Sequence, residues 1–332
     1  MLPFFLLVYD KIKPETIVRM GEITVKFLVV GAGAVGGYFG GRLIEKGEDV
    51  TFLVRENRRK QLSTYGLIID SIHGEFNTDV KTICRGEVKE TYDVIILSTK
   101  AYHLLDAIED IRPYVSVETL ILPLLNGISH LDLLIKEFGE KHVLGGLCFI
   151  ETTLGENGKI IQTSPVHNLV YGERNGEDSE RIKRLKNASS NTKASFIYSE
   201  NIMNEMWKKY LFISLLSGAT TLMRAPIGPI RETESGNIAL EAIVKEVVTI
   251  MNKMGAPIGT ELIDGQLTKI KEMGYGMKSS MQRDMEKGLP TEADHFFLYL
   301  LQHAQNYKIE TPYLNLIYAN LKVYEKVIQE LK

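Results

Sequence analysis

The first residues whose spacing carries chemistry are Gly31-Ala32-Gly33-Ala34-Val35-Gly36, a Gly-x-Gly-x-x-Gly run directly after the apolar stretch Phe27 to Val30 and at the start of a helix-type segment. In that setting Gly31 permits a tight turn, Gly33 lets the backbone approach a pyrophosphate, and Gly36 lets the helix pack on the strand. The free N–H groups and positive dipole of the helix start then face the phosphates. The plainer alternative is a glycine-rich packing turn; the strand before and helix after it favour a bound dinucleotide. Gly37, Gly40 and Gly41 extend the same small-residue face. The next apolar stretch, ending Phe52-Leu53-Val54-Arg55, decides which dinucleotide. An NAD reader usually carries Asp or Glu here for the ribose hydroxyl. This chain carries Arg55, with Glu56 beside it and Arg58, Arg59 and Lys60 behind. A guanidinium fork suits a 2′-phosphate, so NADP (NADPH) is expected, with Arg58, Arg59 and Lys60 as a solvated helix start.

In open α/β sheets, ligands bind beyond the carboxyl ends of the strands. Ser98-Thr99-Lys100 follows the apolar run Val94 to Leu97, and Asn126-Gly127 follows Leu120 to Leu125, so both place polar side chains where a nicotinamide and its substrate would lie. Taken alone, Lys100 reads equally as a snorkelling surface lysine and Asn126 as an ordinary Asn-Gly turn. Further on, Trp207, Tyr210 and Leu211 form an apolar stripe, and Lys209, Ile213 and Ser217 share another helix face at i+4 spacing. That face is apolar and small, so Lys209 is expected along a partly covered surface and Lys208 in solvent. Thr291 with Asp294 reads as a capping box that would put Glu292 in a first helical turn.

The elements that must position these residues fall into two textures. Strand-type runs are expected at Val25 to Val30, Val50 to Val54, Val94 to Ser98 and Leu120 to Leu124, short and rich in Val, Ile and Leu as in a doubly buried parallel sheet. Helix-type segments at Ala34 to Lys46, Leu104 to Ile111 and Leu131 to Phe138 alternate with them, the pattern of a doubly wound domain. Past about Ser199 strand-like runs vanish, and helices are expected at Ile202 to Leu216, Ile238 to Met254, Glu261 to Glu272, Glu292 to Asn306 and Tyr313 to Leu331. A Rossmann-type dinucleotide-binding domain over 25–198 and a helical domain over 199–332 follow. Residues 1–24 read as an appended, poorly ordered extension. Its apolar run Leu2 to Val8 is far short of the about 20 residues of a membrane span and lacks the flanks of a secretory signal.

The bulk numbers limit the rest. A chain of 332 residues accommodates roughly two domains of about 150. Its 39 Lys and Arg against 42 Asp and Glu leave a net charge of −3, too balanced for a general nucleic-acid or anionic-membrane surface. Cys84 and Cys148 stand far apart in no metal or redox spacing, and the 7 histidines form no pair at metal-ligand spacing, so no metal is expected and a reducing, cytoplasmic setting is.

The order of motifs resembles one family. Gly31 to Gly36, Arg55, Ser98-Thr99-Lys100, Leu125-Asn126-Gly127, Trp207-Lys208-Lys209, Ser280-Met281-Gln282-Arg283-Asp284 and Thr291-Glu292-Ala293-Asp294 look like the ketopantoate reductases (2-dehydropantoate 2-reductases), over about Val25 to Val327. The resemblance implies a Rossmann-type domain followed by a helical domain of the 6-phosphogluconate dehydrogenase C-terminal-like kind. It implies NADPH-dependent reduction of 2-dehydropantoate to pantoate, a step towards pantothenate. Lys209 would be the general acid, giving its proton to the carbonyl oxygen. Glu292 would lie near Lys209 and orient substrate or tune the lysine. Ser280 would bind the substrate carboxylate, with Ser217 also on the substrate, and Asp284 would orient or support. Lys100 and Asn126 would complete the site from the cofactor side, touching substrate and nicotinamide. The partner is then a small 2-oxo acid, with a homodimer left open. One departure stands out: the family commonly carries Asn one turn after the lysine, where this chain has Ile213, and Ser217 falls where a second Asn often stands. An apolar side chain cannot replace an amide on substrate hydroxyls. Two alternatives follow: a related reductase of another 2-oxo acid or an imine, and a non-catalytic NADP-binding regulator.

Overall fold

The computed structural model describes residues 24–87 and 90–331; apart from Thr24, the extension expected over 1–24 lies outside them. The chain begins with β1 (Lys26–Val30), α1 (Ala34–Lys46), β2 (Asp49–Leu53), α2 (Glu56–Tyr65), β3 (Leu67–Ser71), β4 (Phe76–Thr78) and β5 (Lys81–Ile83). It continues through β6 (Val94–Leu97), α3 (Leu104–Ile111), β7 (Leu120–Pro123), α4 (Ser129–Phe138), β8 (Gly145–Leu154), β9 (Ile160–Gly172), α5 (Glu180–Ser189) and β10 (Ser195–Tyr198). Helices then follow: α6 (Ile202–Met223), α7 (Ile227–Glu232), α8 (Glu234–Lys253), α9 (Leu262–Glu272), α10 (Ser280–Glu286), α11 (Tyr299–Asn306) and α12 (Pro312–Glu330). A π-type turn, Asp294–Leu298, leads into α11.

Five strands form a parallel sheet in the order β5-β2-β1-β6-β7. Its order reverses between β1 and β6, and the crevice beyond such a switch point is where open α/β sheets bind ligands. Register puts Val30 level with Leu53 and Leu97, and Leu97 level with Pro123. The glycine run, Arg55, Lys100 and Asn126 therefore all emerge from one edge of the sheet. Alternation divides the strands between two cores: Phe27 and Val29 pack towards α1, whereas Leu28, Val30, Ile95 and Leu97 pack towards α3, α4 and the helical half.

A second sheet, β10-β9-β3-β4 with β8 against β9, had no counterpart in the expected elements. It explains the glycines of α1 better than a general small-residue face does. A Cβ at Gly40 would fall 2.8 Å from Phe52 in the first sheet, while one at Gly37 or Gly41 would fall 2.5 Å from Ile160 or Ile69 in the second. The helix is squeezed between two sheets, and only glycine leaves room on both sides. In the helical half, α6 is buried over most of its length and packs on α8, α12 and α10. A helix apolar nearly all round belongs at the centre of a bundle.

Candidate active site

At the end of β1, Gly31 turns with φ of +93° and its amide donates to Leu53 O at 3.0 Å. A Cβ on Gly33 would meet nothing within 4 Å, so this side of the loop faces open space. A Cβ on Gly36 would fall 2.0 Å from Ser98 Oγ and 2.2 Å from Gly31 O. Ser98 itself donates to Val30 O and Gly31 O at 3.0 and 3.1 Å, a brace of the loop rather than a side chain presented at the rim. Gly33 caps α1 without a side chain, which leaves the first-turn amides of Ala34, Val35 and Gly36 for a ligand. Open backbone in front and unspent donors behind fit a pyrophosphate.

Arg55 is exposed at the start of α2 and its Nη2 lies 3.1 Å from Nδ1 of His103, which follows β6. The expectation of a solvated basic cluster needs correction. Arg58 donates from Nε to Ala32 O at 2.9 Å and from Nη2 to Gly158 O at 3.0 Å, clasping the glycine loop to the second sheet, and Arg59 pairs with Glu87. Only Lys60 of the three remains an exposed, unpaired cation among the described residues.

Beyond β6, Lys100 Nζ donates to Asp284 at 2.7 Å and lies 3.5 Å from Glu292. The other Glu292 oxygen accepts from the Ala101 amide at 2.9 Å. Lys100 is thus a bridge between strand end and helical half, not a loose surface lysine. Burial alone would lower its pKa, but Glu292 and Asp284 outweigh it and raise it. A second bridge, Arg283 to Glu151 at 3.0 Å, joins α10 to β8. The capping box is not formed: Thr291 Oγ1 donates to Glu325 at 2.6 Å, and Asp294 accepts from Tyr318. Glu292 precedes the helix and serves the ion-pair cluster. No hydrogen bond or ion pair joins it to Lys209 among the described residues.

Lys209 sits on α6 with 9% exposure, while Lys208 is exposed. Its Nζ donates to Cys148 O on β8 at 2.6 Å and lies 5.2 Å from the centre of the Phe149 ring. Burial holds its pKa below the ordinary lysine value. An ammonium has three donors, and the single carbonyl takes one. Ser217, two turns on, is buried, and Ser280 is exposed at the start of α10, one turn before Asp284; neither side chain is hydrogen-bonded within the described residues. Ile213, between Lys209 and Ser217, is half-buried.

Asn126 is half-buried, and its carbonyl accepts from Nε2 of His295 at 2.5 Å. That imidazole, His103, the Ala101 amide and the Cys148 carbonyl all shape the site without having been singled out in the sequence. The Ala101 amide follows Lys100, the Cys148 carbonyl lies on a strand that α6 packs against, and His295 follows the Thr291 to Asp294 run directly, but none of them carried a spacing signal of its own. The groups act on one another in series. The charge of Lys209 reaches His130, His130 lies over His295, and Glu292 acts on both His295 and Lys100. The described residues include no group of His, Cys, Asp and Glu able to hold a metal ion, and no helix long and apolar enough to cross a membrane.

Comparison with known proteins agrees with this geometry. Residues 27–176 match the family described as Ketopantoate reductase PanE/ApbA, and residues 201–325 match its C-terminal part. The chain is 46% identical over 301 residues to an uncharacterized oxidoreductase, YkpB, of Bacillus subtilis, covering 91% of this chain and 99% of that one. It is 25% identical to the 2-dehydropantoate 2-reductase of Nostoc, covering 90% and 94%. The crystal structure of 2-dehydropantoate 2-reductase from Geobacter metallireducens superposes with a TM-score of 0.81 at 27% identity, over 90% of this chain and 99% of that chain. The two matched halves and the 46% identity along nearly the whole chain make it an oxidoreductase of the ketopantoate reductase family.

Proposed function

We propose that this oxidoreductase uses NADPH to reduce the keto carbon of a 2-oxo acid, with 2-dehydropantoate as substrate and pantoate as product, in cytoplasmic pantothenate biosynthesis. The observation that carries the reading is Lys209, a buried cation with no carboxylate partner among the described residues, held by one backbone carbonyl. The residues 25–198 are read as the cofactor domain and 199–332 as the substrate domain. Gly31, Ala32, Gly33, Ala34, Val35 and Gly36 would hold the pyrophosphate, and Arg55 with His103 beside it would face the 2′-phosphate. When bound, NADPH supplies the hydride. As the carbonyl carbon becomes sp³, Lys209 Nζ gives a proton to the carbonyl oxygen, leaving a neutral amine that regains its proton from solvent. Lys100, kept protonated by Asp284 and Glu292, would donate its remaining N–H to the substrate or the nicotinamide amide, and Asn126, Ser217 and Ser280 would bind the substrate's polar groups. Glu292 holds Lys100 and the Ala101 amide in place.

Ile213 favours a second reading, reduction of a different 2-oxo acid with fewer hydroxyls to bind. A steady-state assay over a panel of 2-oxo acids, with NADPH and with NADH, separates the two. Preference for 2-dehydropantoate and NADPH is expected. Turnover of other 2-oxo acids with a poor 2-dehydropantoate result overturns the substrate, and dinucleotide binding without any oxidation overturns the reductase.

A further inference from the structure

The two strand ends that would face substrate are each gripped from the helical half by one short stretch of chain. Glu292 takes the Ala101 amide and Lys100 after β6. Three residues later, His295 takes the loop after β7: its Nε2 bonds to Asn126 O at 2.5 Å and its Nδ1 lies 2.8 Å from Ser129 Oγ. Because a carbonyl can only accept, Nε2 must carry the proton, and Nδ1 then accepts from the Ser129 hydroxyl. A single neutral tautomer thus satisfies both ends of the loop. The contact is close. Gly127 lies at φ of +81°, and a Cβ there would stand 3.2 Å from the imidazole nitrogen.

The imidazole is itself fixed. His130, fully buried on α4, stacks over it with ring centres 5.6 Å apart and planes at 26°. Tyr210, adjacent to Lys209 on α6, donates to Phe296 O in the same π-type turn. The extra residue of a π-type turn changes which way the following side chains point, and such turns recur at functional sites. Burial keeps the His295 pKa below the ordinary histidine value, in keeping with the neutral form.

We propose that His295 is a positioning residue: from the helical half it clamps the Asn126-Gly127 loop and so aims the Asn126 side chain at the reacting groups. The assignment rests on the reading of Asn126 as a substrate and nicotinamide contact, and its test separates the two claims. Hydrogen exchange of residues 124–130 is measured in dinucleotide-free wild type, His295→Ala and His295→Gln. The Gln amide nitrogen reaches about as far as Nε2 and can donate to the same carbonyl. Exchange in this segment is expected to rise at least tenfold in His295→Ala and to return to within threefold of wild type in His295→Gln. Steady-state kinetics then form a double-mutant cycle with Asn126→Ala. His295→Ala is expected to lower kcat about tenfold or more in the wild-type background and less than twofold in the Asn126→Ala background, with His295→Gln restoring most of it. Unchanged exchange in His295→Ala overturns the clamp, and so does an equal loss of kcat in both backgrounds. A wild type that turns over no 2-oxo acid sinks the proposed function alone, and the exchange measurement then decides the clamp.

Discussion

Two lysines of this chain stand in opposite electrostatic settings. Lys100 is half-exposed at a strand end and flanked by two carboxylates, which raise its pKa despite partial burial. Lys209 is buried in the helical half and answered by one neutral carbonyl, so burial alone lowers its pKa. A cation stabilised by two anions keeps its proton and works as a fixed charge. One stripped of water and given no anion is ready to release its proton, as a general acid must. The contrast matches the proposed division of labour, Lys100 in binding and Lys209 in proton transfer.

The sharpest way to break this contrast is to remove each charge in turn. Lys209→Ala is expected to lower kcat by about 10²–10⁴-fold, the usual worth of a positioned acid, while NADPH affinity from fluorescence titration stays within a factor of about three. Next in size is the distant cation proposed for the cofactor. Arg55→Ala is expected to weaken NADPH by roughly 10–100-fold, the worth of a charged hydrogen bond, and to leave the NADH Michaelis constant nearly unchanged. Equal loss for both cofactors would refute the 2′-phosphate assignment. Lys100→Met should act mainly on binding. It strands Asp284 and Glu292 beside each other and is expected to raise the substrate KM about tenfold, with kcat falling less. A kcat loss as deep as that of Lys209→Ala would erase the distinction between the two lysines.

The smallest effect comes from the groups that share the burial of Lys209. His130 and His295 both have pKa values lowered by burial, His130 well below the ordinary value. In the unfolded chain these imidazoles take up protons as pH falls through about 6.5, while the folded protein resists doing so. Stability is then complete above that pH and declines below it until the folded values are reached, at no more than about 1.4 kcal/mol per pH unit for each group. Urea unfolding between neutral pH and pH about 5 should show this slope, and His130→Phe should flatten it.

Local signals were legible and long-range ones were not. The bounds of α1 and α3 follow from glycine punctuation and apolar spacing, and the parallel strands from their continuous Val, Ile and Leu runs. The second sheet escaped because β8 is half-exposed with alternating polar residues, and β9 carries Gln162-Thr163-Ser164-Pro165 at its centre, which reads as a turn. The chemistry of Lys100 depends on Asp284 and that of the Ala101 amide on Glu292, partners 184 and 191 residues away. Thr291 lost its capping role to Glu325, and Arg58 left solvent for two backbone carbonyls, for the same reason. Spacing reports neighbours on one element; it is silent about what another element brings.

The pH dependence of kcat reads out the proposed proton donor, Lys209. Wild-type kcat is expected to hold level near neutral pH and to fall as pH rises through a value below that of an ordinary lysine, because the acid must be protonated to act. Lys209→Ala should lose that falling limb along with most of its rate. A limb that persists unchanged in Lys209→Ala, or a variant that turns over at the wild-type rate, would contradict the account.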